Sequence, residues 1–142
     1  MTTLRPIAAD APEVVAALEA AGLPTEDLTA SGRTFFALED AGEPVAYGGY
    51  ELYGDNVLLR SVVVLPGHRG KGHGRAVTEA VLADAASAGA NRAFLLTTTA
   101  EDFFRHDGFT PLERRDAPPA ILATRQAATI CSTATLLTRP LK

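Results

Sequence analysis

Val62-Val63-Val64-Leu65-Pro66-Gly67-His68-Arg69-Gly70-Lys71-Gly72-His73-Gly74-Arg75 carries a β-branched apolar run through a basic, glycine-alternating loop straight into a helical pattern. Glycines at alternate positions let backbone N–H groups converge on one point. The helix that follows adds its unpaired first-turn donors and its partial positive end. Such a loop accepts a pyrophosphate without a metal, so a phosphorylated cofactor is the guest it suits.

Three other readings compete. A Walker loop needs Ser or Thr after the lysine to hold magnesium, whereas Gly72 follows Lys71. A dinucleotide fingerprint spaces its glycines as Gly-x-Gly-x-x-Gly and places an acidic residue about 20 positions on, but Gly70, Gly72 and Gly74 alternate strictly. A ligand-free glycine turn is the third, and the further pattern Arg69-x-x-Gly72-x-Gly74 counts against it.

That pattern, following a strand, resembles the acyl-CoA-binding motif Arg/Gln-x-x-Gly-x-Gly/Ala of the GNAT superfamily of N-acetyltransferases. The stretch from Ala100 through Phe103, Phe104 and Gly108 to Phe109 is similar to the superfamily's later Ala-x-x-Phe-Tyr-x-x-x-Gly-Phe segment. Three further runs, Leu58-Leu59-Arg60-Ser61-Val62, Leu95-Leu96-Thr97-Thr98-Thr99-Ala100 and the tail from Arg115 to Ser132, resemble the arsenic-operon-associated N-acetyltransferases. The Leu-Thr-Thr run is also similar to N-acetylglutamate synthase domains. The resemblance implies acetyl-CoA as the acyl donor and CoA as product. It implies a mostly antiparallel central sheet with a V-shaped splay, and a small amine bearing carboxylates, or an analogue of one, as acceptor.

The chain has 142 residues, one domain's worth of core, so residues 1–142 are expected to form a single domain. With 46% hydrophobic and 21% charged residues it is composed like a globular protein and unlike a disordered one. A net charge of −4 argues against nucleic acid or a membrane surface as partner, while Arg69, Lys71 and Arg75 concentrate positive charge at the loop. Cys131 is the single cysteine, which excludes a disulfide framework and a Cys-x-x-Cys metal site. The N-terminus lacks a basic segment followed by an apolar core, and no apolar run approaches the roughly 18 residues of a membrane span. A cytoplasmic location is expected.

Hydrophobic spacing predicts strands at 4–7, 34–38, 44–53, 57–65, 92–97, 109–113 and 133–138. It predicts helices at 11–21, from the glycine loop to Gly89, near 100–106, and after Asp116, with Pro118 and Pro119 at the first positions. Residues 27–33 read as loop or short helix. This order suits an α/β fold, a mixed sheet flanked by helices. The β-rich tail at 133–138 is available to join a partner's sheet in a homodimer.

Acyl transfer from a thioester to an amine needs a held carbonyl, a deprotonated amine and a proton for the departing thiolate. The resemblance assigns the cofactor to Val62, Val63 and Val64, to Arg69, Gly70, Lys71, Gly72, His73, Gly74 and Arg75, and to Thr97, Phe103 and Phe104. An α-amino group is largely protonated at neutral pH, so a base is required, and Glu51 on a central strand is the candidate, acting directly or through water. Many GNAT enzymes carry Tyr as the acid where this chain has Phe104, and Asn where it has Thr97; Phe104 donates no proton, which leaves protonation to water. Arginine suits bidentate carboxylate recognition. Arg60 is ranked first for the acceptor, Arg114 and Arg115 read more simply as a solvated strand end, and Arg125 and Ser132 form a second wall by resemblance. His68, His73 and His106 have no metal-ligand spacing, and no metal is expected. An acyl-CoA-binding module or sensor without turnover is the alternative reading.

Overall fold

The computed structural model describes residues 2–23, 25, 28, 32–124 and 134–141. In chain order the elements are β1 (Thr2–Pro6), α1 (Pro12–Ala20), β2 (Arg33–Asp40), β3 (Glu43–Tyr53), β4 (Asn56–Val64), α2 (His73–Ser87), β5 (Arg92–Thr97), α3 (Glu101–His106), β6 (Thr110–Pro111), α4 (Pro119–Leu122) and β7 (Thr135–Pro140). The seven strands form one mixed sheet in the order β1-β2-β3-β4-β5-β7-β6. Every pair is antiparallel except β4 with β5. The α/β class, the mixed sheet and its flanking helices are as the sequence predicts.

Two tight turns set the register of the first half. Ala41 and Gly42 both have positive φ, as a two-residue hairpin loop requires, and they join β2 to β3. Gly54-Asp55 joins β3 to β4 and pairs Tyr53 with Asn56. Counting back from that turn places Glu51 opposite Leu58 and Gly49 opposite Arg60. Beyond Arg60 the register slips by one: Tyr47 pairs with Val63, so Ser61 and Val62 together oppose Gly48. Ser61 has φ +62°, a left-handed backbone inside a β-bulge.

β4 and β5 pair only over Asn56–Arg92, Val57–Ala93 and Leu58–Phe94. Beyond Leu58 the two strands separate, which is the expected splay. One side of the sheet is covered by α2, whose Val77, Val81, Leu82 and Ala85 pack on Phe36, Tyr50, Val57, Leu59 and Leu95, with Phe104 and Phe109 at its edge. The other side carries α1, through Val14 and Leu18 on Phe35, Ala37, Tyr47 and Val63. Further along that side Ile121 of α4 packs on Leu58, Phe94 and Leu136. Tyr50 reaches across to α2 and donates to Asp84 Oδ2 at 2.7 Å; burial, then that carboxylate, push its phenol up to about 12.

Three expectations change. The strand predicted over 109–113 is only Thr110–Pro111. The last strand is Thr135–Pro140, later than predicted. That strand is not an edge available to a partner: β7 lies between β5 and β6. Its outer carbonyl at Leu136 is taken by the Leu112 amide.

Gly48 and Gly49 let both layers press on β3. A Cβ at Gly48 would lie 3.3 Å from Val77 of α2, and one at Gly49 would lie 2.5 Å from the Phe35 ring and 2.6 Å from the Thr34 carbonyl oxygen. The Thr34 contact is with backbone, so it cannot yield cheaply. Gly49→Ala is expected to destabilise the fold by about 2–4 kcal/mol in urea unfolding, and a loss below about 0.5 kcal/mol would show that the strands adjust.

Candidate active site

The wedge between the parting strands is a cleft of about 290 Å³. Its β4 wall runs from Leu59 to Val64, and its β5 wall is Leu95, Leu96 and Thr97. It passes through the sheet, because Ala21 and Leu23 from the end of α1 line one mouth while Ala100 and Phe104 line the other. Arg69 from the glycine loop closes the list of polar groups with Arg60, Ser61, Thr97 and Thr99. Strand edges facing a cleft lack ladder partners, so their main-chain groups are available to a guest of matching shape.

At the open end of β4 the glycine loop turns into α2. Gly67, Gly70 and Gly72 all have positive φ, and Gly72 is the N-cap, with no side chain to accept from the first-turn amides. The helix therefore starts with bare donors beneath exposed Arg69, Lys71 and Arg75. Arg69 Nε donates to the Val64 carbonyl at 3.2 Å, which ties the loop to the strand end. Gly74 is needed for closeness: a Cβ there would lie 3.2 Å from the Phe103 ring of α3 and 3.5 Å from Val64. His73 is buried, with its ring 6.2 Å from that of His68. Bare amides, three cations and tight glycines fit a diphosphate, and the splayed edge fits the amide-bearing arm of CoA.

This geometry and the sequence agree on an assignment, since the acetyltransferase (GNAT) family model matches residues 3–109, about three-quarters of the chain. The chain belongs to the acetyltransferase (GNAT) family. Among curated proteins no relative matches the sequence. N-acetylglutamate synthase from Neisseria gonorrhoeae, complexed with coenzyme A and N-acetyl-glutamate, is similar in fold with TM-score 0.83 at 19% identity. The match covers 100% of this chain and 35% of that one, so the acetyltransferase spans about a third of the synthase's length. An acetyltransferase of the GNAT family from Staphylococcus aureus Mu50 superposes with TM-score 0.78 at 17% identity over 100% of both chains. Rv2747 from Mycobacterium tuberculosis, in complex with CoA and NLQ, gives 0.77 at 20% identity over 100% of this chain and 99% of that one.

Within this GNAT fold, Val62, Val63, Val64, Arg69, Thr97 and Phe104 all line the cleft, as does Arg60. Phe103 is 40% exposed and stacks edge-on against Phe104 at 4.9 Å, outside the cleft proper. Thr97 Oγ1 accepts from the Ala100 amide at 3.0 Å in the turn between β5 and α3. Arg125 and Ser132 lie outside the described residues. No helix among the described residues is long and apolar enough to cross a membrane, and no group of metal-ligating side chains occurs among them.

Glu51 is fully buried on the α1 side of the sheet. Arg60 Nη1 donates to its Oε2 at 2.7 Å, and the Tyr53 hydroxyl donates to its Oε1. Arg33 Nη2 stands 3.5 Å from the same Oε1. Burial, then the bond to Glu51, push the Tyr53 phenol up to about 12, so it stays a donor throughout the physiological range. Arg60 is fixed further by Nε donating to Ser61 Oγ at 3.1 Å and by the Phe35 ring 5.6 Å from its guanidinium. Arg33, Tyr53 and Ser61 escaped the sequence reading. The Gly54-Asp55 turn carried the signal, because its register puts residues 51, 53, 58 and 60 on one face.

A second polar cluster joins α2, α3 and β7 beside the loop. Arg139 donates to both oxygens of Glu79, at 2.7 and 3.1 Å, which holds that carboxyl below its usual range. Asp107 is buried between Arg75 Nε at 3.3 Å and Arg139 Nη1 at 3.6 Å. Burial, then the adjoining Glu79 carboxylate, push Asp107 up to about 6 against the pull of both arginines. A carboxyl with a raised native pKa binds a proton that the unfolded chain has lost, so its contribution to stability falls as pH rises from about 4 to about 6. Asp107→Asn is expected to gain on the wild type by on the order of 2 kcal/mol between pH 4 and 7. Urea denaturation of both proteins at each pH checks this; a constant gap would show that Asp107 does not titrate there.

Proposed function

We propose that this acetyltransferase moves the acetyl group of acetyl-CoA to the amine of a small, amino-acid-like acceptor, and that residues 1–142 act as one domain. The observation that carries the reading is Arg60. Its side chain has no solvent exposure yet lines the cleft, and it is held in place by Glu51 and Ser61. A guanidinium locked by packing and hydrogen bonds is preorganised to orient a carboxylate. One fold neighbour, the Neisseria synthase, holds CoA together with N-acetyl-glutamate, an acetylated amino acid. That supports a carboxylated acceptor here.

In this reading acetyl-CoA enters from the α2 side. The amides and cations from Arg69 to Arg75, with Gly70, Lys71, Gly72, His73 and Gly74 between, take the diphosphate. Val62, Val63 and Val64 take the arm, with Thr97 and Phe104 on the far wall and Phe103 at the rim. The coenzyme supplies an activated thioester. The acceptor enters from the α1 side, where Arg60 meets its carboxylate and Arg125 and Ser132 extend the wall. Glu51 receives the amine's proton, directly or through water. Among the described residues it is the buried carboxylate on the acceptor side, and a carboxylate has more lone-pair sites than Tyr53 and Arg60 use. The likeness to arsenic-associated relatives extends the acceptor class to arsenical and other xenobiotic amino-acid analogues, and a cytoplasmic place of action goes with it.

The test is release of free CoA thiol from acetyl-CoA over a panel of amino acids and their analogues, with the product identified by mass. Arg60→Lys is expected to raise KM for the carboxylated acceptor roughly tenfold or more while leaving KM for acetyl-CoA within about twofold. Glu51→Gln is expected to lower kcat. Phe104, which offers no proton, favours a second reading, a CoA-binding sensor. Saturable CoA binding with no thiol released above hydrolysis on any amine would establish that reading and contradict transfer.

A further inference from the structure

Ser61 occupies a backbone conformation that favours glycine. At φ +62° a side chain costs roughly 1 kcal/mol or more relative to Gly, and such outliers persist where the site uses them. The position is not a loop tip, where strain is cheap to relieve. It is the extra residue of the β4 bulge, 9% exposed, in the wall of the cleft. The hydroxyl accepts from Arg60 Nε at 3.1 Å. Among the described residues no acceptor takes its own proton, and a serine hydroxyl has one to donate. Accepting from a guanidinium polarises that O–H and strengthens it as a donor.

Two other hydroxyls line the cleft and are otherwise disposed. Thr97 Oγ1 is taken up by the Ala100 amide in the turn before α3, and Thr99 is exposed. Phe104, on the wall facing β4, has no proton to give. The last ladder pair is Leu58 with Phe94, so Ser61 stands three residues out from the apex, about 10 Å along the strand at about 3.3 Å per residue. The thioester end of an arm that starts at the glycine loop, beyond Val64, arrives in this part of the wedge.

We propose that Ser61 is a catalytic residue, its hydroxyl donating a hydrogen bond to the departing sulfur. This rests on the acetyl-transfer reading of the cleft. The amine nitrogen bonds to the acetyl carbonyl carbon, the C–S bond breaks, and the sulfur leaves with the bonding pair. The amine's surplus proton goes to Glu51, and the thiolate, steadied by Ser61, takes its proton from water. The hydroxyl itself keeps its proton and so needs no base.

Ser61→Gly and Ser61→Ala separate the hydroxyl from the backbone. Glycine relieves the left-handed strain and alanine does not, so melting temperature is expected to rise in the first variant relative to the second. Both lack the donor, so both are expected to lose roughly 10- to 100-fold in kcat, with KM for acetyl-CoA and the CoA-induced melting shift unchanged. A Ser61→Gly enzyme turning over at the wild-type rate would overturn the assignment while leaving acetyl transfer intact. Activity that follows melting temperature, high in Gly and low in Ala, would overturn it too. A wild type that transfers acetyl to no amine would instead remove the reading on which the assignment rests.

Discussion

A parallel ladder that stops after three residue pairs is the constraint around which this molecule is organised. Main-chain N–H and C=O groups are strong, obligatory hydrogen-bonding groups, and most folds satisfy them within the sheet. Here β4 and β5 run on past Leu58 and Phe94 without meeting, held apart by a bulge at Ser61 on one side and by the turn of Thr97 into α3 on the other. Each strand is anchored on its opposite edge, β4 by β3 and β5 by β7, so the wedge cannot simply collapse. The cost of two unpaired edges is offset when a guest with amides of its own lies between them. In the proposed function the glycine loop at the end of β4 is what positions the charged part of that guest.

Two charged clusters flank the wedge and work differently. On the α1 side, Glu51 is paired in the interior with Arg60 and Tyr53, a network in which removing one member strands another. It immobilises a guanidinium inside the cleft. On the α2 side, Asp107 is surrounded by two arginines yet pressed against Glu79, and its raised pKa reports a carboxylate that the fold tolerates rather than exploits. The first cluster is the one on which the proposed acceptor recognition rests, while the second braces α2, α3 and β7 beneath the loop.

Much of this was legible in the sequence because periodicity and turn chemistry are local. The strand-forming runs 44–53 and 57–65, and the Gly-Asp turn between them, specify a hairpin; the glycine loop announces a strand and a helix in one stretch. Site residues drawn from that stretch, Val62 to Val64 and Arg69, line the cleft for the same reason. What escaped depends on contacts between segments distant in sequence. Arg33 meets Glu51 only because β2 and β3 pair, and no pattern near residue 33 signals it. The bulge is invisible in Leu-Leu-Arg-Ser-Val-Val-Val, where every residue is at home in a strand. The fate of 133–138 turned on a two-residue strand, β6, too short for any periodicity to reveal.

The central claim is that the edges of β4 and β5 are open in the free protein and are closed by the coenzyme. Amide hydrogen exchange with and without CoA tests it most directly. Amides of Val62 to Val64, together with those from Gly70 to Arg75, are predicted to slow by at least about tenfold on saturation with CoA, while the three paired positions from Asn56 to Leu58 change little. Protection that appears elsewhere, with no change along β4, would contradict the account.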